Sequence, residues 1–160
     1  MNVIVRQSYL DKIEKYLGKD TIIILTGQRR VGKSYLLRLF KNQVANNEQA
    51  NIIFIDKEKH EFEEINTYCE LNAYIDARRD KSKKNYLLID EIQEIEGFEK
   101  SVRSYYEEPD MEIIVTGSNS SMLSSDLSSR IGGRYKEIYV QALSYREFME
   151  FHQLQDNDEA

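Results

Sequence analysis

The 160-residue chain has one cysteine, one proline, two histidines and no tryptophan. A lone Cys69 cannot close an intrachain disulfide, which excludes a disulfide-stapled secreted module. Cys69 is expected to be an inert core thiol in a reducing interior. His60 and His152 stand far apart, so no metal-ligand spacing exists. No apolar run approaches the roughly 20 residues that span a bilayer. The opening Met1–Arg6 is too short an apolar stretch for a signal peptide. These absences predict a cytoplasmic protein with no membrane partner. Positive charge is also in deficit, with 22 Lys and Arg against 28 Asp and Glu and a net charge of −6. Such a balance argues against gripping nucleic acid with the whole surface, and leaves room for a local basic patch. Internal repeats and long low-complexity segments are missing too. What remains is a globular composition, 41% hydrophobic, of a length that suits one domain.

Apolar periodicity predicts the elements. A first helix is expected over Gln7–Leu17, with Tyr9, Leu10, Ile13, Tyr16 and Leu17 on one stripe and Gly18 ending it. Strands are expected at Thr21–Thr26, Asn51–Asp56, Tyr86–Asp90, Met111–Thr116 and Arg134–Val140. Helices are expected at Lys33–Val44, around Ile65–Arg79 and at Gly97–Tyr106. A short helix is expected within Ser118–Ser129. A last helix starts at the capping box Ser144-Tyr145-Arg146-Glu147, with Leu143 and Phe148 as its hydrophobic staple. Short apolar strands alternating with helices predict an α/β fold: a parallel sheet covered on both faces, in three layers.

The most informative segment is Gly27-Gln28-Arg29-Arg30-Val31-Gly32-Lys33-Ser34, followed by Tyr35. It is a G-x-x-x-x-G-K-[ST] loop between a strand and a helix. Glycines let the backbone curl so that N–H groups point at phosphate oxygens, and the helix N-terminus adds positive potential there. Lys33 can reach the β- and γ-phosphates, and Ser34 can hold Mg2+. Arg29 and Arg30 either raise the local potential or pack against acidic neighbours. The spacing predicts a site for a nucleoside triphosphate.

A second element supports the first. The strand Tyr86–Ile89 ends in Asp90-Glu91, and in such folds the carboxyl ends of strands face the ligand. Asp90 is placed to hold the metal. Glu91 is placed to polarise an attacking water. The alternative is an acidic pair facing solvent. At the end of strand four, Thr116, Ser118 and Asn119 can bond the γ-phosphate or orient the water, or else Ser118 or Asn119 caps the next helix. An arginine at the transferred phosphoryl group can contribute about 10³–10⁵ in rate. Arg130 and Arg134 flank Ile131-Gly132-Gly133, and either can act in its own subunit, reach into a neighbour, or form a surface ion pair.

The motifs Gly27–Ser34, Leu87–Glu91, Thr116-Gly117-Ser118-Asn119, Gly133-Arg134-Tyr135 and Leu143-Ser144-Tyr145-Arg146-Glu147-Phe148 together resemble the AAA-type prokaryotic ATPases of the additional-strand, catalytic-glutamate class. Within that class the chain is similar to the archaeal-ATPase-like group, over about Arg6 to Phe151. The resemblance implies a P-loop fold with a five-stranded parallel sheet ordered 5-1-4-3-2. It implies adenine rather than guanine, and no guanine-reading Asn-Lys-x-Asp segment is present. It places the strand-four polar residue, Asn119, between the loop and Asp90-Glu91, and makes Arg134 the arginine sensor. Members of the group usually carry a larger C-terminal domain, sometimes compared with nucleases. Residues 1–155 are therefore expected to be an ATPase domain and 156–160 a polar tail, with that further domain absent from this chain.

The expected activity is Mg2+-dependent hydrolysis of ATP, coupled to a partner or attached domain. A homo-oligomer with an arginine supplied in trans, a protein partner, or DNA met through the further region are the partners this implies. A nucleotide-gated switch with little intrinsic hydrolysis is the alternative. A small-molecule kinase fits less well, because no arginine-rich lid follows strand three. The basic run Arg78–Lys84 reads as a solvated helix end, where cations suit the dipole.

Overall fold

The computed structural model describes residues 7–28, 31–117 and 132–141. Among them five strands alternate with four α-helices: α1 Gln7–Tyr16, β1 Ile22–Thr26, α2 Lys33–Ala45, β2 Ala50–Asp56, α3 Tyr68–Arg78, β3 Lys84–Asp90, α4 Phe98–Tyr105, β4 Met111–Gly117 and β5 Tyr135–Tyr139. Every strand pairing is parallel, in the order β2-β3-β4-β1-β5. This is the sheet order that the resemblance implied, and the fold is a three-layer P-loop NTPase fold.

Strand alternation builds two cores from one sheet. Ile22, Ile24, Ile53, Ile55, Leu87, Ile89, Ile113 and Val115 face one side, where they pack on Leu71 and Ile75 of α3 and on Phe98, Val102 and Tyr105 of α4. Ile23, Leu25, Leu88, Ile114 and Ile138 face the other, against Leu10 and Ile13 of α1 and Leu36, Leu37 and Phe40 of α2. Burial on both faces is why the strands read as continuous apolar runs rather than as alternating ones.

The expected α1 stripe holds: Leu10 and Ile13 are buried, and Tyr9, Tyr16 and Leu17 pack against the same core. Gly18 stops the helix at φ 74°. Two expectations are corrected. Helix α3 starts later than the apolar pattern suggested, because Thr67 caps it. The Thr67 side chain accepts from the Glu70 amide, and the Glu70 carboxylate accepts from the Thr67 amide. Cys69 is exposed rather than a core thiol. It precedes the buried Leu71 by two residues, about 200° around the helix.

The basic run is structural at three of its positions. Arg79 grips Asp110 with two bonds, at 2.8 and 2.5 Å. Arg78 stacks 3.6 Å from the centroid of the Tyr74 ring, and Lys84 pairs with Glu112 at 3.0 Å. The expected helices within 118–129 and from Ser144 lie outside the described residues. No helix among the described residues is long and apolar enough to cross a membrane.

Candidate functional site

All strands run the same way, so Thr26, Asp56, Asp90, Gly117 and Tyr139 end on one edge of the sheet. The glycine loop leaves β1 at that edge. Gly27 has φ 143°, and a Cβ there would come within 2.4 Å of the Val140 carbonyl oxygen. The loop is thus pressed against the chain leaving β5, where the Val140 amide donates to the Thr26 carbonyl at 2.7 Å. At the far end Gly32 takes a left-handed conformation, φ 99°, as the residue capping α2. Gly27→Ala is expected to cost about 2 kcal/mol or more in urea unfolding. Gly18→Ala, with a positive φ but open space, is expected to cost about 1 kcal/mol.

The Lys33 ammonium is buried and donates to the carbonyls of Gly27 and Gln28, at 2.5 and 3.0 Å. Ser34 follows on the first turn of α2, near enough to Asp90 that its hydroxyl lowers the pKa of that carboxylate. Asp90 is 1% exposed. It shares strand parity with Leu88, so it projects toward α2 and the loop. Thr116, in phase with Ile114 on the neighbouring strand, reaches the same place. Its hydroxyl donates to Asp90 Oδ1 at 2.5 Å and accepts the Glu91 amide at 2.9 Å. One hydroxyl therefore fixes both acidic residues. Burial raises the Asp90 pKa, against the hydrogen bonds of Thr116 and Ser34, and the nearby Asp56 and Glu91 push it the same way as burial.

Glu91 is also buried and sits in the left-handed region, φ 59° and ψ 53°. Asp20 and Glu91 are the two non-glycine residues with positive φ among the described residues. Backbone strain of this kind persists where its surroundings over-determine it. The Gln93 side-chain amide donates to Glu91 Oε2. Glu91, Gly32, Lys33, Ser34, Tyr35, Arg38 and Glu58 line a cavity of about 550 Å³, within the usual range for small-molecule sites. The Tyr35 hydroxyl is buried without a hydrogen-bond partner, and burial raises its pKa.

A hydroxyl and a carboxylate that meet in a buried spot form an oxygen donor set suited to magnesium. Ser34 and Asp90 fit that ion on their chemistry.

Sequence reasoning missed two members of this cluster. Asp56, 1% exposed, ends β2 in register with Asp90, and Arg38 of α2 pairs with it at 2.8 Å. The signal was available: Asp56 ends an apolar strand in the same way as Asp90, and Arg38 lies one helical turn beyond Ser34.

Arg134 is not gathered into this cluster. It precedes β5 at the opposite edge of the sheet, where its carbonyl accepts the Ile22 amide at 3.1 Å, and its side chain is exposed. Asn119, Ser118, Arg130, Arg29 and Arg30 lie outside the described residues.

The sequence matches the AAA domain family over residues 19–149. It is 33% identical over 150 residues to an uncharacterized protein of Haemophilus influenzae, covering 92% of this chain and 38% of that protein. It is 30% identical over 141 residues to an uncharacterized protein of Methanocaldococcus jannaschii, covering 87% and 30%. The chain thus spans about a third of the length of the curated relatives it matches. Among solved structures, its fold is similar to that of Cdc6p from Pyrobaculum aerophilum, with a TM-score of 0.67 at 12% identity over 95% of this chain and 49% of that one. It is also similar to AMPPCP-bound DnaA from Aquifex aeolicus, with a TM-score of 0.65 at 18% identity over 98% and 53%. Orc1 of Aeropyrum pernix, solved in complex with DNA, gives 0.63 at 11% identity over 98% and 50%. Matched along most of its length, with the sheet order and loop position to go with it, this chain belongs to the AAA domain family.

Proposed function

We propose that the chain binds Mg2+–ATP at the Gly27–Tyr35 loop and hydrolyses the β–γ bond. The observation that carries this reading is the convergence of Lys33, Ser34, Asp90 and Glu91 on one edge of the sheet, with three of the four lining one cavity and Asp90 beside Ser34. Loop amides and the α2 N-terminus hold the phosphates. Lys33 exchanges its loop carbonyls for phosphate oxygens. Ser34 and Asp90 hold magnesium, which supplies charge neutralisation at the phosphates when bound. Glu91 takes a proton from water as its oxygen attacks the γ-phosphorus and the bond to the bridging oxygen breaks. Thr116 positions the Asp90 carboxylate and the Glu91 backbone, and Asn119 contacts the γ-phosphate or the water. The AMPPCP carried by the DnaA of similar fold supports an adenine nucleotide.

The placement of Arg134 favours action in trans, because its own loop lies at the other end of β1. A homo-oligomer would bring it to a neighbour's phosphates, with turnover coupled to a partner or to a further region of a longer protein.

A second reading is a nucleotide-gated switch that hydrolyses slowly alone. The Gln93 amide on Glu91 favours it, since that bond occupies the proposed base.

Calorimetry and phosphate release separate the two. Lys33→Ala is expected to weaken ATP binding by about 100-fold or more, given the strength of charge-assisted phosphate contacts. Turnover per chain is expected to rise with protein concentration in the wild type and to stay flat in Arg134→Ala. Tight binding with near-zero turnover at every concentration supports the switch instead.

A further inference from the structure

A second groove lies between α1 and β5, the last strand of the sheet among the described residues, with a volume of about 330 Å³, lined by Lys12, Lys15, Tyr16, Lys136, Glu137, Ile138 and Tyr139. It shares no lining residue with the nucleotide cavity. Its content runs against the composition of the chain, which is net −6. Lys12, Lys15 and Lys19 recur at helical spacing along α1 and just past its end, and Lys136 meets them from the strand. Three of these ammonium groups crowd one ring: Lys136, Lys15 and Lys19 lie 5.0, 5.7 and 5.9 Å from the Tyr16 centroid. Lys12 stands 5.4 Å from that of Tyr9. Among the described residues no carboxylate forms an ion pair with any of the four.

Three neighbouring acids hold hydrogen bonds to other groups. Glu137 accepts the Thr26 hydroxyl at 2.6 Å, Asp11 accepts Gln7 at 2.8 Å, and Glu14 accepts Gln43. The four ammonium groups form no ion pair with these carboxylates, and so stay open to an anionic ligand. A polyanion can pair with several of them at once. Lys136 also lowers the pKa of the Tyr16 hydroxyl, a further sign of positive potential at this spot.

Aromatic surface stands beside the charge. Tyr139 is 55% exposed and is the large exposed hydrophobic residue among the described ones. Strand alternation sends Lys136 toward α1 and Tyr139 to the opposite side of the same edge. A chain of phosphates along the lysines would have the Tyr16 ring beside it, and a strand that rounds the edge would reach Tyr139. Lysines for the backbone with tyrosines for bases is the pairing that holds unpaired nucleic acid without sequence preference. We propose that the α1–β5 groove binds single-stranded nucleic acid through its phosphate backbone.

Fluorescence anisotropy of the full chain with a labelled oligothymidylate, titrated from about 50 to 200 mM salt, tests this. Four lysine contacts predict a log–log salt slope near −3, at about −0.7 per contact on single strands. The double variant Lys15→Glu/Lys136→Glu is expected to weaken binding at least tenfold and to halve the slope. Tyr139→Ala is expected to weaken binding without changing the slope. ATP affinity by calorimetry is expected to be unchanged in both variants, which separates this groove from the nucleotide site and from misfolding. The proposal is overturned if the oligonucleotide is not bound at the lowest salt, or if charge reversal leaves affinity and slope as they were. It is also overturned if anionic phospholipid vesicles, but not the oligonucleotide, bind in a way that depends on these lysines.

Discussion

Glu91→Gln is expected to keep ATP affinity within a few-fold of wild type and to lower kcat by about 10²–10⁴, the contribution of a positioned general base. The substitution preserves the shape of the side chain and removes its basicity. The contacts that set the Glu91 backbone come from elsewhere: its amide donates to the Thr116 hydroxyl, so the strained φ of 59° is retained. Phosphate binding draws on the loop, on Lys33 and on Ser34, none of which this change touches. The glutamine also keeps an oxygen to accept the Gln93 amide. Binding and turnover are therefore predicted to separate. Calorimetry with Mg2+–ATP gives the first quantity and single-turnover phosphate release the second. If the glutamine variant turns over at the wild-type rate, Glu91 is not the base, and the strained residue has a structural role. If binding collapses as well, its carboxylate belongs to the metal site.

The fold was legible because the sheet is parallel and buried on both faces. That geometry turns each strand into an uninterrupted apolar run such as Ile22–Leu25 or Leu87–Ile89, bounded by polar residues. Helix ends were less legible, because caps act over one or two residues. The Thr67–Glu70 box starts α3 inside a segment whose apolar pattern begins earlier. Cys69 was misread because cysteine's usual burial says nothing about which side of a helix it occupies. The proximity of Ser34 and Asp90 was legible from chain order. Asp90 ends β3 and Ser34 opens the helix after the loop that leaves β1 at the same edge, and parity with Leu88 aims Asp90 at α2. Asp56 and Arg38 escaped notice because their bond joins residues 18 apart in sequence across a strand–helix crossing. The left-handed backbone of Glu91 was not legible at all, since glutamate carries no preference for it. Arg134 was legible as a glycine-supported arginine but not as one at the amino edge of the sheet. That position depends on the direction of β5, which its parallel register with β1, from Ile22↔Tyr135 to Thr26↔Tyr139, fixes.

Asp90→Asn is expected to make the nucleotide-free protein more stable and to abolish its response to magnesium. Burial raises the Asp90 pKa, so the native state binds a proton at this position more tightly than the unfolded chain does. For a carboxylate shifted upward, stability is greatest below the ordinary pKa and falls as pH rises through the raised one. At neutral pH the charged group therefore weighs against folding. The amide removes that charge. Its oxygen still accepts the Thr116 hydroxyl, and its NH2 can donate to Ser34. A gain of about 1 kcal/mol is expected, which is ~2–4 °C in Tm for a chain of this size. With Mg2+–ATP the order inverts. The wild type gains stability through binding linkage, by about 2.7 kcal/mol at a ligand concentration 100 times Kd. The variant is expected to respond no more to Mg2+–ATP than to ATP with a chelator. Thermal melts of both proteins under three conditions (no ligand, ATP with chelator, and Mg2+–ATP) read all of this at once. A variant that melts below the wild type without ligand would show that the Asp90 carboxylate supports the fold instead of waiting for a cation, and would remove it from the proposed metal site.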